Sequence, residues 1–447
     1  MLYNPKGRSH PPSFTHLRRM TDDTGLLEHA LGRTPRRGEG YTTDDNARSL
    51  WTVTEWLRDV PGAEVSESDR IQLLELASIY LSFMLWQQKE DGWWHNNVAY
   101  DRSPEAESVS YDCQGRSIWA CVSAWVGLPD SHKDAARSMF ECAMPTLGQL
   151  GSLRGKAYAL SACAHALESE RAGAIAFKPG WREQLKTHVV RFQDELIESF
   201  LRHSDAEWRW FETQMSYGNG VLPWALLRSY RVTHAPEALE IGLDSLSSLQ
   251  AAMTAEEGWF RPIGNSGWRT RSRSSKWDQQ PLEIFKLALA LEEGAVALEE
   301  AGKQGVALLL AYDQGAPAKG GSANARSPGG DRGNGGFRGN GSIRAPEVGI
   351  ALAVRAETDD GQVEDRGAAT TASESDAHAI EVADYAAQLR SARNRCLQWF
   401  FGDNDLGAIM ADASDGSGCD GLQENGPNVN CGAESTIAYL MTAALCR

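Results

Sequence analysis

Four carboxylates stand where this chain turns from loop into helix, and each could move a proton. Asp44 and Asp45 lie in GYTTDDNARSLW (40–51), after Thr42 and Thr43 and before Asn46. One Asp in that place is accounted for as an N-cap or as a first-turn charge that suits the helix dipole. Two in succession, followed by Asn, exceed that need. Glu212 sits in EWRWFETQMSYGNG (207–220), beside Phe211 and near Trp208 and Trp210. A carboxyl enclosed by aromatic rings is held protonated and suits a general acid, although the same rings also suit core packing. Asp278 belongs to KWDQQPLE (276–283), where Pro281 marks a first helical residue. The expected pairing sets Glu212 or Asp278 as acid against Asp44 or Asp45 as base.

Around these residues lie groups able to bind hydroxyls. Gln279, Gln280 and Glu283 share the Asp278 segment, and Asn219 ends the Glu212 segment. Glu434 follows Gly432 and Ala433 at another helix start, where offsetting the helix dipole explains it equally well. SYDCQGRSIWAC (110–121) offers Asp112 and Arg116. HLRRMTDDTG (16–25) is a further polar cluster that could close over the same place or be a solvated turn. Trp277, with Trp93, Trp94, Trp259 and Trp268, falls in or beside loops. Aromatic rings there suit the apolar C–H faces of sugar rings, and Trp is also a common core anchor.

Such groups work together only if the fold brings them together. Helical periodicity dominates the chain: IQLLELASIYLSFMLW (71–86) places apolar residues at three- and four-residue spacing, while alternation of period two is scarce. Six times a polar loop runs straight into a helix: at 40–51, 110–121, 152–163, 215–227, 276–289 and 428–440. The intervals leave room for a returning helix between successive starts. The expected fold is therefore all-α, an (α/α)6 toroid of six helical hairpins, each an inner helix followed by an outer one. An open solenoid would need nearly identical repeats, which are lacking. Inner-helix N-termini then converge at one rim with their free N–H groups and positive dipole ends. The third start, SLRGKAYALSAC (152–163), reads as chemically poor. Residues 315–376, rich in Gly, Ser, Ala, Arg and Asp, read as a disordered insertion that buries too little apolar surface to offset its ordering entropy. It divides the first five hairpins (1–314) from the last helices (377–447).

Composition narrows the function classes. The chain has 447 residues, 15 Trp and a formal net charge of −16. That acidity argues against nucleic-acid or anionic-membrane partners, which need clustered Lys and Arg. The eight Cys form no CxxC pair, and no HExxH, P-loop, GxSxG or GxGxxG pattern is present. His residues are not grouped at the six starts, so neither a metal site nor a His-based epimerase centre is expected, and no cofactor is. MLYNPKGRSHPPSF carries no apolar signal region and no run is long enough to span a membrane, so a cytoplasmic location is expected.

Taken together, GYTTDDNAR, WFE followed by SYGNGVLPWALL, WDQQPLE, WFFGDND, GCDGL and NCGAESTIAYL resemble a bacterial family of (α/α)6 domains of the six-hairpin glycosidase type. Its members occur alone or fused behind retaining glycosyltransferase domains. The resemblance implies a glycosidase-like enzyme acting on an oligosaccharide or sugar conjugate, with a glycosyltransferase as a further partner. It differs from the family pattern at Gly218 and Cys431, where that pattern carries Asp and Gln. The expected reaction is hydrolysis or phosphorolysis of a glycosidic bond by two carboxyl groups. Asp44, Asp45, Glu212 and Asp278 would be catalytic. Asp112, Arg116, Asn219, Trp277, Gln279, Gln280, Glu283 and Glu434 would bind substrate. A sugar isomerase or epimerase, marked by paired His residues, and a non-catalytic module, marked by carboxylates that never converge, are the alternatives.

Overall fold

The computed structural model describes residues 12–304, 306–312, 348–354 and 382–447. Six helices form an inner ring: α2 (Thr43–Leu57), α4 (Tyr111–Gly127), α6 (Leu153–Arg171), α8 (Val221–Thr233), α10 (Pro281–Lys303) and α12 (Ala433–Leu445). Each packs on the next, and α12 packs on α2, so the ring closes. Five long helices return between them on the outside: α3 (Glu67–Gln87), α5 (Asp130–Ala143), α7 (Trp181–His203), α9 (Pro236–Ala252) and α11 (Val382–Trp399). This is the (α/α)6 toroid that the six loop-to-helix starts lead one to expect, and all six starts open inner helices.

The burial pattern explains the two layers. Residues 433, 435–438 and 439–444 of α12 are all buried, as an apolar helix without a solvent face must be. On α7 burial follows one stripe, Trp181, Leu185, Val189, Phe192, Leu196 and Phe200, which is the pattern of a helix with one face in water. Local signals set the inner starts. Thr42, Ser110 and Ser152 each accept a hydrogen bond from the backbone three residues on, and Pro281 opens α10. Among the described residues no helix is long and apolar enough to cross a membrane.

Two details refine this expectation. The sixth inner helix is not followed by an outer partner among the described residues; α1 (Thr15–Met20) packs against α12 instead. The expected insertion at 315–376 mostly lies outside the described residues, but 348–354 is a strand, paired antiparallel with 306–312 from Val306↔Val354 to Tyr312↔Val348. VALLLAY and VGIALAV are unbroken apolar runs of seven residues, an ordinary strand length, and the Gly-rich composition around the second run hid it.

The ring has a floor. Trp51, Trp119, Trp224 and Phe285, one from each of four inner helices, meet at its centre with centroids 4.8–6.0 Å apart, and Tyr158 joins Trp224 at 5.9 Å. These rings plug the axis, so the toroid encloses a cup rather than a pore. Arg116 lies over Tyr158 (5.3 Å), and Lys286 lies over Trp51 and Phe285 (4.9 and 4.1 Å).

Candidate active site

Above the aromatic floor, all six inner starts contribute to one network of charge. Its hub is Arg48 of α2, only 4% exposed. Arg48 Nη1 lies 2.6 Å from Asp45 Oδ1, and its Nη2 lies 3.2 Å from Asp44 Oδ2 and 3.1 Å from Glu434 Oε2. The same guanidinium donates to the Tyr217 hydroxyl, which donates in turn to Glu434. Arg116 of α4 pairs with Asp44. Asp44 and Glu434, 390 positions apart by their numbers, thus share a single nitrogen.

A second layer holds this one in place. Arg154, from the start of α6, pairs with Glu212 (Nη2 to Oε2, 3.0 Å), donates to Ser216 Oγ (3.2 Å) and donates to the Tyr217 carbonyl. Glu283 of α10 accepts from the backbone of Gly218 and Asn219 and from the Asn219 amide at 2.9 Å. Gly218 has φ +63, a conformation that glycine adopts without cost, and this lets both N–H groups point at one carboxylate. Asp420, in GCDGL, accepts from Gly432 N (2.8 Å) and Ser435 Oγ and so caps α12 beside Glu434. Asn46 accepts from Leu26 N (2.9 Å) and donates to the Thr42 carbonyl (2.8 Å), tying the 22–28 loop to α2. Glu28, at the end of that loop, has its carbonyl on Ala433 N (2.9 Å).

The electrostatics differ sharply between neighbours. Burial opposes the charge on Asp44, but Arg116 and Arg48 outweigh it and hold the carboxyl below the usual range. Asp44 Oδ1 has no hydrogen-bond partner. Burial, reinforced by Asp44 and Glu434, pushes Asp45 up despite Arg48. Burial and then the charge of Asp45 push Glu28 up to about 7, and its side chain is 33% exposed. Burial and the Arg116 and Arg48 charges depress the Lys286 amine well below the lysine range, and its Nζ has no hydrogen-bond partner.

The expected site residues divide into three groups. Asp44, Asp45, Arg116 and Glu434 come together at Arg48. Asn219, Gln279 and Glu283 are fully buried, with protein partners. Gln279 donates to the Lys276 carbonyl (3.0 Å) and to Asp405 Oδ2 (2.7 Å), and Asp405 is also bound by Arg261. Asp112 accepts from the Ser152 hydroxyl at 2.5 Å, across the α4–α6 seam. Gln280 is the half-buried residue before Pro281. Asp278 (φ +62) and Trp277 are half-buried in the loop before α10, against the 421–428 hairpin and under Lys276 respectively. The aromatic enclosure expected around Glu212 is absent: Trp210 and Phe211 turn into the core, and the carboxylate, 30% exposed, pairs with Arg154.

Sequence reasoning missed Arg48, Tyr217, Arg154, Tyr158, Lys286 and Glu28. Arg154 and Tyr158 come from the start taken as chemically poor. Only Arg48 carried a local signal, its spacing of three and four residues from Asp45 and Asp44. Glu283 gives a direct check on the second layer. Glu283→Ala strands two buried backbone N–H groups and an amide, so it is expected to cost about 3 kcal/mol. Thermal melts should show a lower midpoint, and a variant melting like the parent would remove Glu283 as the anchor of the Tyr217 loop.

No family model matches the chain, and no curated protein does. Among solved structures it is similar to a cellobiose 2-epimerase from Bacillus thermoamylovorans (TM-score 0.49, 11% identity, covering 66% of this chain and 85% of that one). It is also similar to a D-mannose isomerase (0.48, 10%, 65% and 80%). A GH76 α-mannanase from Bacteroides thetaiotaomicron gives 0.40, 14%, 64% and 80%. At this level the likenesses carry nothing about chemistry; the toroid is established by the closure of its own inner ring.

Proposed function

We propose that this protein is a carbohydrate-active enzyme that cleaves a glycosidic bond with two carboxyl groups, Asp44 as base or nucleophile and Glu28 as general acid. One contrast carries the reading: two guanidinium groups hold Asp44 below the usual carboxylate range, with one oxygen lacking a hydrogen-bond partner, while burial and the charge of Asp45 push Glu28 up to about 7. That division is what acid–base catalysis at neutral pH requires. Convergence of Asp44, Asp45 and Glu434 on one guanidinium favours an enzyme over a binding module. In this scheme Glu28 replaces Glu212 and Asp278 as the acid. Arg116 and Arg48 keep Asp44 charged. Glu434 and Tyr217 lie where substrate hydroxyls would meet them. Glu283, Asn219 and Gln279 position the loops, and Trp277, Gln280 and Asp112 remain candidate sugar contacts at the rim.

The test is release of sugar from an oligosaccharide panel, with and without phosphate, followed across pH. With Glu28 as acid, kcat is full below its pKa and falls as pH rises through about 7. Glu28→Gln should lower kcat by about 10²-fold or more and abolish that alkaline limb. A limb unchanged in the variant assigns the acid elsewhere, and absence of sugar release across a broad panel would sink the reading. The buried Lys286 amine favours a second reading: an amine whose charged form is disfavoured by burial and by Arg116 and Arg48 suits proton transfer in the isomerisation of an open-chain sugar. Ketose formation from an aldose, lost in Lys286→Met, would select it.

A further inference from the structure

Trp93 and Trp94 occupy one rim loop and are used differently. Trp94 is buried, with its indole N–H on the Met84 carbonyl (2.9 Å) and its backbone N–H on Gln114 (3.0 Å). Trp93 is half-buried, meets Tyr111 edge-on at 6.0 Å, and its indole N–H donates to no acceptor among the described residues. It borders a cavity of about 480 Å³, a size at which small ligands are commonly bound. Lys89 and Glu105, also on its border, are exposed and make no ion pair among the described residues. An apolar ring, two free donors and one free carboxylate suit a neutral polyhydroxylated ligand. The opposed charges of Lys89 and Glu105 do not select an anion.

The cavity wall is tied to the first turn of α2. His95 borders it, and the His95 carbonyl accepts from Thr43 Oγ1 (2.5 Å). The adjacent Asn96 accepts from the backbone N–H of Asp44 (3.1 Å). Glu107 fixes this wall by accepting from Asn96 N and Asn97 N (2.8 Å each) and pairing with His95 Nδ1 (3.1 Å). The cavity wall and the first turn of α2 are therefore one hydrogen-bonded piece.

We propose that the cavity over Trp93 is a distal sugar subsite of the same cleft, so that the substrate is an oligosaccharide long enough to reach from Asp44 to Trp93. This rests on the glycosidic-bond reading. The probe is a ladder of manno- and gluco-oligosaccharides from disaccharide to hexasaccharide. For the wild type, KM should fall with chain length. In Trp93→Ala the ratio of disaccharide to hexasaccharide KM should shrink by about tenfold, the weight of one aromatic contact. Trp93→Phe, which keeps a ring, should restore most of it, separating stacking from loop collapse. An unchanged ratio in Trp93→Ala overturns the subsite while leaving the catalytic reading intact. If the wild type cleaves no member, the catalytic reading fails and the subsite is judged by hexasaccharide binding followed through tryptophan fluorescence. A titration that disappears in Trp93→Ala supports it, and no titration overturns it.

Discussion

Replacing Asp44 by Asn is expected to lower kcat by about 10³-fold, a loss of about 4 kcal/mol of transition-state stabilisation. The side chain keeps its size, so the effect isolates charge and basicity. Asp44 is the carboxylate that two guanidinium groups hold ionised, and one of its oxygens has no protein partner. Asn cannot accept a proton at that oxygen and cannot neutralise Arg116, whose only salt bridge among the described residues is with Asp44. Some stability is lost as well, so kcat must be measured on protein shown to be folded at the assay temperature. Asp44→Ala gives a sharper form of the test. Removing the side chain leaves an anion-sized gap between Arg48 and Arg116, which azide could fill. If Asp44 acts directly on the anomeric centre, azide should restore turnover by attacking that carbon as the leaving oxygen takes its proton from Glu28, yielding a glycosyl azide. Restored turnover that gives only free sugar would mean that azide stands in as a base toward water, and would assign Asp44 as the general base.

The ring was legible from sequence because its signals are local. A Ser or Thr cap, a Pro at the first turn, and a Gly-rich loop before an apolar run act within four residues of a helix start, and six such starts define six inner helices. The site was legible only in part, for the opposite reason. Asp44, Asp45 and Glu434 stood out by their place at helix starts, and the fold does bring them together. Arg48 and Arg154 were not singled out, because Glu434 and Glu212, which pair with them, lie far along the chain. Gln279 looked like a hydroxyl binder by residue type, since only the fold shows Asp405 and Leu422 closing over it. Glu28 became prominent only when burial and Asp45 were seen beside it. What local pattern could not supply was the identity of each charge's neighbour, and that identity separates a base from a strut.

Arg48→Met is expected to be the most destabilising single change in the cup. The side chain is nearly fully buried, and three carboxylates and a tyrosine hydroxyl depend on it. Removing one partner from a buried ionic network costs about 3–5 kcal/mol, because the remaining charges keep their desolvation penalty without the attraction that offset it. The loss should also depend on pH in a defined direction. Asp44 is held below its ordinary pKa in the folded protein, so it contributes stability above that ordinary value and loses it as pH falls through the depressed one. Without Arg48 the depression shrinks, and the carboxylates around the vacated position protonate more readily. The gap between variant and parent melting temperatures should therefore be widest near neutral pH and close as pH falls through the carboxylate range. A cavity left by simple loss of packing would cost the same at every pH. A pH-independent gap would thus show that Arg48 fills space rather than balancing charge. The proposed ionisation of Asp44 would then rest on Arg116 alone, and Arg116→Met should become the variant that abolishes activity.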